Sequence, residues 1–239
     1  MTHLTFPDNA VRRLSFYLAA EEYCARKLQP MDDVFFLWQV KPTVIFGRNQ
    51  IIENEVNIDY CRTHDIQFYR RKSGGGCVYA DKGNLMISYI TPERGVDEVF
   101  ADFLRQLSGF LRSLGLNAVT TAHNDVLVDG CKVSGNAFFV RPACSIVHGT
   151  LLHSVDMDAL ALAITPAVEK LEKHGIQSVR QRVANLVALG LDLDADCLAA
   201  ELVRTFCDSE RLLAPAEVAA IEEIEKSYTE PSFILGKAR

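Results

Sequence analysis

The stretch RRKSGGGCVYADKGN, residues 70–84, sets three cationic side chains and a serine ahead of three consecutive glycines, with strand-forming residues on both sides. IQFYRR (residues 66–71) leads into it. CVYA (77–80) and NLMISYI (84–90) lead away, joined by the turn-prone Asp81-Lys82-Gly83. Short strands joined by tight turns pair antiparallel, whereas parallel strands need a crossover of about a dozen residues or more. The stretch therefore points to an α+β protein with a mixed, largely antiparallel β-sheet flanked by helices. Three glycines in a row also reach backbone conformations closed to residues with a Cβ. They let a ligand lie on the chain with N–H groups aimed at an anion. Arg70 and Arg71 add planar donor forks suited to phosphate or carboxylate. The spacing is neither that of the P-loop nor a GxGxxG opening a helix. Taken alone, the glycines are equally well read as a flexible hairpin tip beside a solvated basic run.

Working outward, Asp8 or Asn9 is placed to cap an N-terminal helix. Val11, Leu14, Phe16, Leu18 and Tyr23 form its apolar face, and Arg12, Arg13, Glu21 and Glu22 its wet one. VFFLWQV (34–40) and TVIFG (43–47) read as a hairpin turning at Lys41-Pro42, followed by a brief helix at IDYCRTHD (58–65). Apolar residues at helical spacing from Val99 to Leu114 predict a helix stopped by Gly115. NDVLV (124–128), the turn Asp129-Gly130, KVSGNAFFV (132–140) and SIVHGTLLHSV (145–155) read as antiparallel strands. The chain from Met157 onward reads as mostly helical. With no repeat or long linker, residues 1–239 are expected to form a single domain.

The 49% hydrophobic and 23% charged composition is that of an ordinary globular chain, which excludes general disorder. The N-terminus lacks a basic leader followed by an apolar core, and no run approaches the roughly 18 apolar residues of a membrane span. The expected location is the cytoplasm, without membrane association. Seven cysteines without CxxC pairs argue against a disulfide framework and a zinc site. A net charge of -6 offers no general attraction to nucleic acid, so the basic run at 70–72 suits a small anion better.

Two further segments join the glycine stretch. HNDVLVDGCKVSGNAFF (123–139) carries Asn124 and Asp125, then Lys132 ahead of the small pair Ser134-Gly135. SIVHGTLLHS (145–154) places His148 before Gly149 and Thr150. Each alone reads as readily as a solvated strand end or a satisfied core histidine. In order and wording the three together resemble the lipoate-protein ligase A family of the biotin and lipoate ligase superfamily. The family's RRxSGGGxVxHDxGN, ND, KVSGxA and HHGTLL correspond to RRKSGGGCVYADKGN, Asn124-Asp125, KVSGNA and VHGTLL. FLWQVKPTVIFGRNQ (36–50) and HGIQSVRQRVANLVAL (174–189) extend the likeness. The chain departs at Ala80, where the family has a histidine.

The resemblance implies the biotin/lipoate ligase catalytic fold, akin to class II aminoacyl-tRNA synthetases, here without the C-terminal accessory domain. It implies two half-reactions: lipoate and ATP form lipoyl-AMP, and the lipoyl group then passes to a lysine. The acceptors are lipoyl domains of 2-oxoacid dehydrogenase complexes or glycine cleavage H protein. A separate accessory-domain protein is an implied partner for adenylation. ATP and magnesium serve as co-substrate and ion, lipoate as substrate, with no tightly bound prosthetic group. By motif match, Lys132 contacts the phosphate and acyl carbonyl as the catalytic residue. Gly74, Gly75 and Gly76 close over lipoyl-AMP; Arg70, Arg71 and Ser73 fix the loop or the acyl end. Asp125 holds magnesium or orients Lys132. Asn84, Asn124, Ser134, Gly135, Ala137, His148, Gly149 and Thr150 belong to the same pocket. Val78, Leu85 and Phe138 would wall a tunnel for the acyl chain, or be plain core. Two alternatives stay open: a cysteine-dependent octanoyl or lipoyl transferase using no ATP, with Cys144 ahead of His148-Gly149, and a non-catalytic lipoyl-ligand binder.

Overall fold

The computed structural model describes residues 1–8, 10–28, 32–92, 95–121, 124–141, 144–164 and 183–236. The expected cap at Asn9, the helical reading of 165–182 and the first part of the 174–189 segment lie outside them.

In chain order the strands are β1 (Thr2–Thr5), β2 (Val34–Trp38), β3 (Thr43–Phe46), β4 (Gln67–Arg70), β5 (Val78–Ala80), β6 (Asn84–Pro92), β7 (Ala118–Thr120), β8 (Asp125–Val128), β9 (Cys131–Arg141), β10 (Cys144–Leu152) and β11 (Ser209–Leu212). The helices are α1 (Leu14–Tyr23), α2 (Ile52–Glu55), α3 (Ile58–Thr63), α4 (Val96–Ser113), α5 (Met157–Ala163), α6 (Ala195–Phe206), α7 (Pro215–Thr229) and α8 (Pro231–Leu235). Among the described residues, one sheet has the order β11-β1-β2-β6-β10-β9-β8-β7 and a second the order β4-β3-β5. β1 runs parallel to β2 and β11, and β3 parallel to β4; the other pairs are antiparallel. The sheet is mixed and mostly antiparallel, with helices on its faces, as the sequence predicts.

The centre of the large sheet is buried on both sides, which explains why β6 carries apolar residues on both faces and is buried from Asn84 to Thr91. Leu85, Ile87 and Tyr89 point into the core with α4 and α6. Met86 and Ile90 point the other way, into the core with α1 and α7. α4 buries Val99, Phe103, Leu107, Phe110 and Leu111 at three- and four-residue spacing, and Gly115 follows it at φ 86°. The β8–β9 hairpin turns at Asp129 and Gly130, both at positive φ, the conformation that twists with its strands.

Two expected hairpins are absent. β2 joins the large sheet while β3 joins the small one, and β5 and β6 separate in the same way. Both turns are therefore crossings between sheets. At Lys41-Pro42, the Pro42 carbonyl accepts Gln67 N–H and feeds the chain into the β3–β4 pair. At Gly83, a Cβ would collide with the Ser154 carbonyl, and the Gly83 carbonyl accepts the N–H groups of His153 and Ser154. Strands β1, β7 and β11 are too short or too exposed to show a period. The N-terminal helix also differs from expectation. Asp8 accepts from Ala10 N–H and pairs with Arg12 instead of capping, and α1 starts at Leu14. α1 has no wet face: it is enclosed by the sheet and α7, and both Glu21 and Glu22 are buried.

Candidate active site

A cavity of about 270 Å³ opens over the α1 side of the large sheet. Trp38, Met86 and His148 line it from three adjacent strands, Leu18 from α1 and Ile45 from β3, and the glycine loop covers it. A second cavity of about 270 Å³ adjoins it and is walled by Leu152, Leu160, Ile164 and Val183. Lys132, Gly135, Thr150 and residues 76–78 belong to both, so Lys132 stands where they meet.

A bulge aims Lys132. Asp125 pairs with Gly135 and Val126 with Ser134, but Leu127 pairs with Lys132, leaving Val133 as the extra residue on β9. Without it, strict alternation would put Lys132 and Gly135 on opposite faces. With it, Val133 enters the core and Lys132 Nζ lies 2.8 Å from Asp125 Oδ1, on the cleft side. The lysine chain lies over Gly135 so closely that a Cβ there would be 2.8 Å from Lys132 Cε. Thr150 Oγ1 on β10 accepts Gly135 N–H at 3.2 Å and holds this floor down. Asn124, at φ 70°, offers its carbonyl to Asn136 Nδ2 at 2.9 Å. Gly149 is small because a Cβ there would strike the Asn136 amide.

The glycine loop is held from beneath by its own cations. Arg71 is 3% exposed and donates to the carbonyls of Gly74 (Nη2, 2.7 Å) and Gly76 (2.7 Å); burial lowers its guanidinium to about 10, still a cation at neutral pH. Of the three glycines only Gly75 has to be one, at φ 89° and with Arg71 Nη2 2.7 Å from where a Cβ would sit. Gly74 and Gly76 have open space. Ser73 Oγ bonds His148 Nε2 at 2.7 Å, and His148 Nδ1 faces Glu21 Oε2 at 3.0 Å.

Of the residues predicted from motifs, Asn124, Asp125, Lys132, Gly135 and Ala137 line the main cavity from the β8–β9 side. His148, Gly149 and Thr150 line it from β10, and Arg71, Gly75, Gly76 and Val78 from the loop. Arg70 does not face it. Arg70 is 3% exposed and donates to the carbonyls of Gln50 (2.7 Å), Arg48 (3.0 Å), Phe233 (3.0 Å) and Gly236 (2.9 Å), tying the turn after β3 to α8. Lys72 likewise pairs with Glu22 at 2.7 Å and lies over the Tyr228 ring. Arg70 and Lys72 are thus internal anchors, and of the basic run Arg71 reaches the cavity lining. Ser73, Gly74, Asn84 and Ser134 stand outside the lining. Asn84 is buried at the start of β6, where its Nδ2 reaches the Tyr79 carbonyl. Leu85 and Phe138 belong to the α4-side core instead of a tunnel wall. Ala80 is buried in β5.

Cys144 is 1% exposed, packs in the α1-side core, and has its thiol pushed up by burial. A buried neutral thiol away from the lining is a poor nucleophile. The motif reading missed Leu18, Trp38, Ile45, Met86, Cys77 and Asn136, which also line the cavity. Trp38 and Ile45 lie inside FLWQVKPTVIFGRNQ, Cys77 inside RRKSGGGCVYADKGN and Asn136 inside KVSGNA, whereas Leu18 and Met86 carry no motif. Burial pushes the Cys77 thiol up to about 12. Among the described residues no cluster of His, Cys, Asp or Glu would by itself hold a metal ion, and no helix is long and apolar enough to cross a membrane.

Residues 14–207 match the family described as the lipoyl protein ligase A/B catalytic domain. Lipoate-protein ligase LplJ of Bacillus subtilis is 39% identical over 71% of this chain and 51% of its own length. Lipoate-protein ligase A of Psychrobacter cryohalolentis is 34% identical over 92% of this chain and 64% of its own. The chain therefore spans about half to under two thirds of these relatives. In solved structures, a chain from the bipartite lipoate protein ligase and E2 lipoyl domain system of Thermoplasma acidophilum superposes with a TM-score of 0.88. It is 27% identical over 100% of this chain and 97% of that one.

Proposed function

The chain belongs to the lipoyl protein ligase A/B catalytic-domain family, and on that premise we propose that it activates lipoate with ATP and passes the lipoyl group to a lysine of an acceptor protein. The observation that carries this reading is Lys132, whose ammonium is held by Asp125 over Gly135 at the junction of two cavities, one walled by Leu18, Trp38, Ile45 and Met86. An apolar acyl tail suits that wall, and its carboxylate then comes to the cation.

In the first half-reaction a lipoate oxygen attacks the α-phosphorus and pyrophosphate leaves. In the second, the acceptor amine attacks the acyl carbonyl, a C–N bond forms and AMP leaves with the C–O electron pair. Lys132 offsets the negative charge that crowds the phosphate and then the carbonyl oxygen, and the open backbone at Gly76 lets the adenylate lie against the loop. Magnesium suits the single carboxylate of Asp125, since this ion takes most of its ligands from phosphate oxygens and water; when bound it would neutralise the triphosphate.

The Thermoplasma system, a bipartite lipoate protein ligase with its E2 lipoyl domain, supports lipoyl domains as acceptors; a separate accessory polypeptide is proposed as a partner in adenylation. Glycine cleavage H protein is proposed as a second acceptor of the same class. We take residues 1–239 as one catalytic unit acting in the cytoplasm, where ATP is available and the seven free cysteines stay reduced.

The test follows the mass of a lipoyl-domain acceptor in parallel reactions: lipoate with ATP and magnesium, preformed lipoyl-AMP, and octanoyl carrier protein without ATP. Modification with lipoate and ATP, lost in Lys132→Ala, is the expected result; modification from lipoyl-AMP alone would assign adenylation to the partner. Donation by the acyl carrier protein alone, abolished in Cys144→Ala, would overturn the reading. Binding of lipoyl-AMP without acceptor modification would show a binder instead.

A further inference from the structure

We propose that Glu21 is a positioning residue of this cleft: its carboxylate fixes the tautomer of His148 and, through it, the seat of the glycine loop. The inference rests on the cleft being the lipoyl-AMP site. Glu21 is 2% exposed, Ser88 0%, Ser73 2% and His148 9%. A carboxylate so enclosed is costly unless its oxygens are hydrogen-bonded, and as an ionised group it can only accept.

The partners satisfy that demand in one direction. Ser88 Oγ donates to Glu21 Oε1 at 2.6 Å and itself accepts from Trp38 Nε1 at 2.9 Å. On the other oxygen, 3.0 Å from His148 Nδ1, the imidazole has to bring the proton. A neutral His148 protonated on Nδ1 has a bare Nε2, which accepts from Ser73 Oγ at 2.7 Å. Every donor in the chain from Trp38 to Ser73 thus points toward Glu21.

Two of these side chains, Trp38 and His148, line the cavity, and Ser73 opens the loop that covers it. The Ser73 carbonyl is gripped as well, by Arg48 N–H at 2.9 Å. The next residue of α1 repeats the pattern: Glu22 Oε2 holds Lys72 Nζ at 2.7 Å. Consecutive carboxylates of one helix thereby anchor consecutive residues of the loop. Local sequence alone places Glu21 on a wet helix face and gives no hint of this.

The test needs two readouts on the full chain. With ¹⁵N-labelled histidine, the wild-type protein is expected to show His148 protonated on Nδ1 and bare on Nε2. In Glu21→Gln the amide must donate at one of the two contacts, so either the His148 tautomer flips or Ser88 Oγ accepts from both the amide and Trp38 Nε1 and loses the partner for its own proton. The KM for preformed lipoyl-AMP in acceptor modification is expected to rise about ten- to hundredfold, the scale of a lost charge-assisted hydrogen bond, with kcat changed less. Ser73→Ala should raise KM in the same direction, and the double variant should be no worse than Glu21→Gln alone. Wild-type His148 protonated on Nε2, or an unchanged KM in Glu21→Gln, would overturn the proposal. The wild-type spectrum decides it if the variant does not fold. If wild-type protein does not use lipoyl-AMP, the functional reading fails while the tautomer still tests the hydrogen-bond chain.

Discussion

Gly135→Ala is expected to separate activity from stability, because the added methyl meets only the mobile end of Lys132. Its Cβ would lie 2.8 Å from Lys132 Cε and 2.9 Å from Nζ, with Asp125 Oδ1 at a harmless 3.8 Å. Carbon atoms in contact prefer about 3.5–4.0 Å. The lysine head must therefore move by roughly 1 Å, which takes Nζ out of its 2.8 Å contact with Asp125. The folding cost is small: the pair is partly exposed, at 36% and 24%, and such pairs contribute about 0–1 kcal/mol. The catalytic cost is larger, since a misplacement of about 1 Å in a reacting constellation can cost about a hundredfold. The assay is acceptor modification from preformed lipoyl-AMP beside thermal unfolding. A ten- to hundredfold loss of kcat/KM with a Tm within about 3 °C of wild type is expected, since ~1 kcal/mol shifts a domain of this size by about 2–4 °C. Wild-type kcat/KM in Gly135→Ala would refute the claim that the bulge and the glycine exist to place Lys132. A collapse of Tm would show that the methyl cannot be absorbed by the side chain.

Other outcomes follow from particular contacts. Arg70→Ala strips several buried carbonyls of their donor and is expected to destabilise the fold by about 3 kcal/mol or more, read by urea unfolding and by faster proteolysis at α8; Arg70→Lys, lacking the fork, should not restore it. Gly76→Ala should fold as well as wild type, because a methyl there meets nothing within 4 Å, while weakening lipoyl-AMP binding in calorimetry; unchanged affinity would mean that no ligand lies on that backbone. For Cys77 burial pushes the folded thiol up to about 12, above the ordinary thiol value of about 9, so its stabilising contribution is intact below about pH 9 and is lost as pH rises toward 12. Urea titrations across that window should show a steeper alkaline decline in wild type than in Cys77→Ala, and parallel curves would contradict the burial of the thiol.

The chemistry of the cleft is local in the chain, and that is why much of it is readable there. Lys132, Gly135 and Asn136 fall within five residues, and His148, Gly149 and Thr150 are consecutive on one strand. The Asp129-Gly130 turn and the apolar spacing of α4 are equally local, so the β8–β9 hairpin and the long helix are where the sequence puts them. Sequence alone does not separate neighbours of like type that serve two ends. Arg70 and Arg71 look alike in RRK, yet one faces α8 and the other the glycine loop. Leu85 and Met86 are adjacent and apolar, yet alternation sends Leu85 into the α4 core and Met86 to the cleft.

By itself, then, the sequence determined most element types and the antiparallel bias, because turn geometry and periodicity act over a few residues, while the polar groups near Lys132 were legible through the family resemblance of their motifs. Tertiary structure decided which sheet each strand joined, that one extra residue in β9 turns Lys132 inward, and that Glu21 belongs to the site. Those outcomes depend on partners 127 residues apart for Glu21 and His148, 75 for Ser73 and His148, and 163 for Arg70 and Phe233. A carboxylate on a short helix looks the same in sequence whether it meets water or a buried imidazole; only the packing of α1 between the sheet and α7 removes the water and leaves the imidazole as its partner.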